Sequence, residues 1–551
     1  MSSYRIRVRA PSKPSSLVPL IALLVLGVLV RTTVAAQGWF YYDDLTLYAQ
    51  AREHPLPDLS LLLTPHDGHL MPGSWLVVWG LAHGAPLRWP TAVGVLAAGN
   101  LAAGAAVAWA YRPLSRSLIP LAAYLFTPVT LTTSTWLAAG VNTLPLHAAL
   151  ALCLGAGIRA ARAPSTRQAA LWSLGAGAAM IAGALFSERA LFLAPAVLLT
   201  LRCCGLLDGM RSAHRALVRL CLILPTALWA GIYALVVGDP RTTPSDPLPF
   251  FSHGYGLGLL PTLAGGPWHW ERWHPGPPWA APHAGAIALG AAAGLVLLAL
   301  TLRRAVAWLP VALYPLLPFL ALALARSGPD TAWEITQTLR HVSEVAVLAA
   351  VVLAFCLPSP LPRSARVLGA AWLASSMVST VAFAQSWAQQ PARDFFGGLD
   401  ASLTRHDAAL LDQDLPLEVL LPVTHPYNRL SHYSDRVSTA TSAPVIVGPD
   451  GALHPARLHE MRATASPARC NTGPELPLDG PLIDREWVVR LNYIAERPGT
   501  GVLALNGHPV DFPIEPGLHS VYVQVSGGGG RLLIDAPGAC LSSSSVGVLG
   551  V

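Results

Sequence analysis

The chain has 551 residues, of which 53% are apolar and 12% charged, and its mean hydropathy is +0.47. A soluble domain carries about 25% charged residues, so a wholly water-soluble enzyme is excluded. The net charge of +6 calls for no nucleic acid, because membrane proteins keep Arg on their cytoplasmic loops.

In chain order, residues 1–16 are basic and form a cytoplasmic N-terminus, and residues 17–36 are the first apolar segment. Further apolar stretches lie near 91–111, 117–137, 141–161, 167–186, 188–203, 216–238, 284–303, 305–325, 341–357 and 365–386. These stretches predict a polytopic α-helical membrane protein with about 11 transmembrane helices. Basic clusters at Arg112/Arg116, Arg159/Arg162/Arg167, Arg202 to Arg219, Arg303/Arg304 and Arg363/Arg366 alternate consistently if all lie inside. The C-terminal part is then extracytoplasmic and the protein a multi-pass plasma-membrane protein. Residues 72–87 are apolar but short, and read as a helix lying on the outer face. Outer loops run over 37–90 and 239–283, and the second carries WHWERWHPGPPW at 268–279, expected at the membrane interface.

After residue 386 the composition turns polar and Pro-rich. Residues 487–493, 502–505 and 519–525 read as strands, with turns at Asn506-Gly507, Pro516-Gly517 and Gly527 to Gly530. The expectation for 391–551 is an extracytoplasmic β-rich domain, sandwich or jelly-roll-like, preceded by a mixed region. Cys470 and Cys540 stand alone in this part and predict a disulfide if it lies outside the cytoplasm. Tyr427, Tyr433 and Trp487 are its candidate exposed aromatics, from which glycan binding is expected.

This topology sorts polar residues to one membrane edge. Asp43 and Asp44 follow the first segment; His66, Asp67 and His69 precede the short helix. Glu188 and Arg189 fall at an outer turn, and Arg340, His341 and Glu344 begin the 341–357 stretch. Each alone suits a solvated loop end or an i,i+4 pair. An ionised group at mid-bilayer costs at least about 2.5–3.5 kcal/mol, so their joint placement at an edge is the informative feature.

The layout resembles the GT-C superfamily of membrane glycosyltransferases, polyprenyl-phosphate-sugar dependent and of actinobacterial cell-envelope type. The matching pieces are FYYDDLTLY (40–48), HDGHLMPGSWLVVWGL (66–81) and FSERALFLAP (186–195). In the last, Ser187-Glu188 stands where Lys-Glu is common in such families. The resemblance covers about residues 17–386 in architecture and only short motifs in sequence.

It implies a transferase, hexosyl or pentosyl, using a polyprenyl-phosphate sugar and an envelope glycan, lipid or protein acceptor. Asp43 or Asp44 would be the general base. Arg340, His341, Arg189 or His69 would stabilise the leaving phosphate, with His66, Asp67, Glu188 and Glu344 completing the substrate site. Adjacent carboxylates would alternatively hold a divalent metal, so the cofactor stays open. The competing classes are a lipid-linked substrate transporter or flippase, and a non-catalytic scaffold with a glycan-binding cap. A transporter calls for two related halves with broken helices, which the sequence does not show.

Overall fold

The computed structural model describes residues 17–208, 210–238, 246–326, 332–358, 360–464 and 475–551. The basic N-terminus (1–16), residues 239–245 of the second long loop and Cys470 lie outside the described residues. The chain divides into two compact units, Met1–Gln389 and Gln390–Val551.

The first unit is helical. Among the described residues, six helices are long and apolar enough to cross a membrane: Val18–Ala35, Trp89–Tyr111, Leu137–Ala161, Ser212–Val237, Leu302–Arg326 and Arg363–Trp387. Ala284–Leu300 and Val345–Cys356 are shorter apolar helices. All the expected apolar stretches contain helix, and some of these helices are short or broken.

The breaks have chemical causes. In 117–137 the helix Ile119–Phe126 stops at Thr127, which is extended (φ −62°, ψ 138°) ahead of Pro128. A residue before proline is pushed out of the helical region. The chain resumes as a 3₁₀ turn, Pro128–Thr130, and a short helix, Leu131–Thr135. Residues 302–326 are likewise interrupted, with Pro310, Pro315 and Pro318 along them. The Pro72–Gly84 helix has 13 residues, about 20 Å against a hydrocarbon core of about 30 Å. That is too short to span.

Pro145 sits inside the Leu137–Ala161 helix and has no N–H to give to the carbonyl four residues back. That carbonyl, Val141, instead has the Ser74 hydroxyl 3.2 Å away. Gly73 lets the short helix approach closely, since a Cβ there would lie 2.9 Å from the Phe186 ring. Arg31 is buried within the first helix and donates through Nη2 to the Thr127 carbonyl (2.5 Å) and the Thr130 hydroxyl (3.1 Å).

The Trp-rich segment is more than an interfacial anchor. It forms a small hairpin, Trp270–Glu271 with Trp279–Ala280. Its indoles at Trp268 and Trp270 donate to the Ser375 and Ser379 hydroxyls, one turn apart on the Arg363–Trp387 helix. Trp273 remains exposed.

The second unit begins with the amphipathic helix Pro391–Arg405, which buries Phe395, Phe396 and Leu399. Its main sheet is antiparallel and runs in the order Arg457–Ala463, Ala539–Gly550, Glu475–Ala495, Gly517–Asp535, Gly499–Ala504, Val510–Ile514. The expected strands 487–493 and 519–525 fall within longer ones, and 502–505 overlaps Gly499–Ala504. The glycine run 527–530 is not a turn: it lies inside the Gly517–Asp535 strand and shifts its register. Gly527 and Gly529 have φ of 142° and 118°, a conformation glycine adopts at little cost at a bulge.

Trp487, Val489, Leu491 and Tyr493 pack in one core with Leu503, Phe512, Val523 and Leu532. Trp487 is 5% and Tyr433 9% exposed, so these two expected sugar-facing aromatics are interior residues instead. Cys540 is disulfide-bonded.

Candidate active site

The first element of the site is the acidic pair. The Asp43–Arg52 helix starts after Tyr42, whose φ of 45° is unusual for a non-glycine residue. That start sends the two neighbouring carboxylates in different directions. Asp44 is 3% exposed, and its two oxygens accept from the Ala138 N–H (2.7 Å) and the Tyr41 N–H (3.2 Å).

Ala138 lies in the first turn of the Leu137–Ala161 helix, which begins after the extended residue Trp136. First-turn N–H groups have no partner within their own helix, so Asp44 caps this one from another segment. Residues 138–140 belong to this helix. Burial pushes the Asp44 carboxyl well above the usual range, outweighing the two N–H donors. Asp44 thus holds the start of that helix, and of the acidic pair it is Asp43 that lines the cavity.

Asp43 lines a small cavity of about 50 Å³ with His66, Asp67, His69, Arg189, Arg326, Arg340 and His341. Asn142, Thr143 and Ser187 are also on its wall. Of the ten sequence-derived candidates, Asp44, Glu188 and Glu344 do not line it.

His66 and His69 are brought together by a two-residue turn. Asp67 (φ 50°) and Gly68 (φ 80°) both have positive φ, as an Asp-Gly hairpin turn of the primed type requires. The backbone closes with His69 N to His66 O at 2.8 Å and His66 N to His69 O at 3.0 Å. Tyr233 pins the tip by donating to the Gly68 carbonyl at 2.8 Å. His69 Nδ1 meets Glu188 Oε1 at 2.9 Å, so Glu188 acts behind the cavity wall.

Burial lowers the His66 imidazole, partly offset by Asp43 and Asp67. For Asp67, burial acts upward, but Arg326 and the two histidines together hold the carboxyl below its ordinary range.

The second wall is the turn 338–344. Leu339 is left-handed at φ 62° and turns the chain so that Arg340 and His341 face the cavity. The Arg340 guanidinium lies 4.3 Å from the centre of the Trp136 ring, donates from Nε to His341 Nε2 at 3.1 Å, and places Nη1 3.9 Å from Asp43 Oδ2. Arg189 reaches the same turn, donating to the Arg340 carbonyl at 2.9 Å and to the Thr143 hydroxyl at 2.5 Å. It also pairs with Glu344 at 2.9 Å, the two side chains being 11% and 0% exposed. Glu344 is therefore the buried counter-charge of Arg189 and does not itself reach the cavity.

Sequence reasoning missed Arg326, whose Nη2 is 3.4 Å from Asp67 Oδ2. Its signal was present: it is the one cation ending the 305–325 apolar stretch. It also missed Arg272, which lies 4.7 Å from the Tyr41 ring and 5.4 Å from the Trp387 ring and braces the wall behind the acidic pair. Asp43, His66 and Asp67 each offer one ligand atom, all within 4.8 Å of one another. Two carboxylates and an imidazole suit a divalent cation.

The arrangement thus sets one carboxylate against several cations in a small hollow where several helices begin or end. Such a hollow suits a reaction that takes a proton at one side while negative charge grows at the other.

No family model and no curated protein matches the chain. Solved structures similar to it include the following two. One is ArnT from Cupriavidus metallidurans bound to undecaprenyl phosphate, at 14% identity and TM-score 0.44, covering 74% of this chain and 85% of that one. The other is the arabinosyltransferase EmbB from Mycobacterium smegmatis, at 14% identity and TM-score 0.31, covering 99% of this chain and 66% of that one.

Proposed function

We propose that this chain is a GT-C-type membrane glycosyltransferase that moves a sugar from a polyprenyl-phosphate donor to an envelope glycan, lipid or protein acceptor on the extracytoplasmic face. The observation that carries the reading is Asp43 facing Arg340 across a cavity shared with Arg189, Arg326, His341 and His69.

Asp43 takes the proton of the acceptor hydroxyl as its oxygen bonds to the anomeric carbon. The bond from that carbon to the phosphate oxygen breaks, and its electrons leave with polyprenyl phosphate. Arg340 and Arg326 stabilise the charge that develops there, as fixed cations do in a water-poor site. Asp43, His66 and Asp67, each through one atom, would hold a divalent cation, which would supply further neutralisation of phosphate charge. The cations stand at helix ends and turns, the placement that an isoprenoid tail in the bilayer and a phosphate at its edge require. A flippase reading gains nothing from this geometry.

The test is transfer of labelled sugar from polyprenyl-phosphate donors in membranes containing the chain. Donor-dependent labelling that Arg340→Ala reduces at least about 100-fold supports the reading. Equal labelling by wild type and Arg340→Ala contradicts it.

A further inference from the structure

The turn that presents Arg340 is not held by its own backbone alone. Its carbonyls and hydroxyls are gripped from two other segments. Thr132 donates to the Thr338 carbonyl at 2.9 Å, and Thr133 donates to the Ser343 hydroxyl at 3.0 Å. Ser343, fully buried, donates back to the Arg340 carbonyl at 3.4 Å. Behind Ser343 stands His147, itself 0% exposed in the Leu137–Ala161 helix. Its Nε2 is 3.0 Å from the Ser343 hydroxyl and its Nδ1 is 3.0 Å from the Tyr124 hydroxyl.

Two proton orders fit these bonds. Either Ser343 donates to the Arg340 carbonyl, His147 donates to Ser343 from Nε2–H and Nδ1 accepts from the Tyr124 hydroxyl, or Ser343 donates to Nε2 and Nδ1–H donates to Tyr124. An imidazole supplies a donor on one side and an acceptor on the other only when it is neutral with a fixed tautomer.

We propose that His147 is a positioning residue: the buried chain Tyr124–His147–Ser343 fixes the turn from which Arg340 faces the cavity. His147 lines no part of that cavity, so it acts through Ser343. The proposal rests on the reading of the cavity as a donor-phosphate site for its effect on binding, but not for its effect on the turn. A left-handed Leu339 costs the backbone energy, and contacts like these are what hold such a conformation in place.

The experiment uses the full-length chain in detergent, with two readouts: amide hydrogen exchange of the 338–344 segment, and binding of farnesyl phosphate as the probe. His147→Leu removes both bonds and keeps an apolar side chain. His147→Gln restores a donor toward Ser343. Ser343→Ala changes little volume and cuts the same chain from the other side.

The expected result is faster exchange of the segment and about tenfold weaker probe binding, equal to about 1.4 kcal/mol, for His147→Leu and Ser343→Ala alike. The double variant should be no worse than either single one, and His147→Gln should recover most of both readouts. Unchanged exchange in Ser343→Ala, or a His147→Gln no better than His147→Leu, overturns the proposal. If wild type fails to bind the probe, the donor-phosphate reading falls, while the exchange readout still decides the role of His147.

Discussion

The two units treat charge in opposite ways. The helical unit hides it: Asp44 and Glu344 are 3% and 0% exposed, and Arg189 is 11% exposed in its side chain. The β unit keeps charge near water. Its cluster of Arg429 with Asp412, Asp414 and Glu486 buries the Arg side chain to 14% exposure but leaves the acidic partners 21%, 61% and 39% exposed. Buried charge is expensive unless paired, so its concentration around one cavity marks where the chain tolerates that cost. The β unit gives its interior to Trp487, Tyr493 and Phe512 instead.

Breaking a pair on each side sharpens this contrast. Glu344→Ala leaves Arg189 buried without its counter-charge and should cost about 3–5 kcal/mol, read as a large loss of thermal stability of the full chain in detergent. Asp44→Ala should cost about 1–3 kcal/mol, because it strands the Ala138 and Tyr41 N–H groups. Arg429→Met removes a hub that is 14% exposed in its side chain but whose acidic partners reach water, and should cost about 1–2 kcal/mol. Arg531→Ala breaks the Arg531–Glu475 pair, whose side chains are 71% and 52% exposed, and should cost less than about 1 kcal/mol. A β-unit variant as damaging as Glu344→Ala would break the comparison.

Much of the helical unit was legible because apolar runs act locally, although 117–137, read as one stretch, breaks at Thr127-Pro128. Asp67-Gly68 builds the turn that its dipeptide predicts. The gathering of Asp43, His66, Asp67, His69, Arg189, Arg340 and His341 around one cavity was also readable, through the alternation of basic loops.

What was hidden depends on distant partners. Nothing near Asp44 says that it will cap a helix 94 positions away, and Trp136 carries no turn residue to announce that helix start. His147 reads as one histidine on an apolar helix, because Ser343 lies 196 positions off. In the β unit, the strand Ala539–Gly550 contains four consecutive serines, a composition with little strand preference. It forms because it lies between Glu475–Ala495 and Arg457–Ala463.

The account turns on Asp43 being the group that takes the acceptor's proton. The direct measurement is the rate of labelled-sugar transfer from a polyprenyl-phosphate donor by wild type and Asp43→Asn, at matched amounts of folded protein. The predicted result is a fall of about 10²–10⁴-fold with thermal stability little changed. Transfer by Asp43→Asn at the wild-type rate would contradict it.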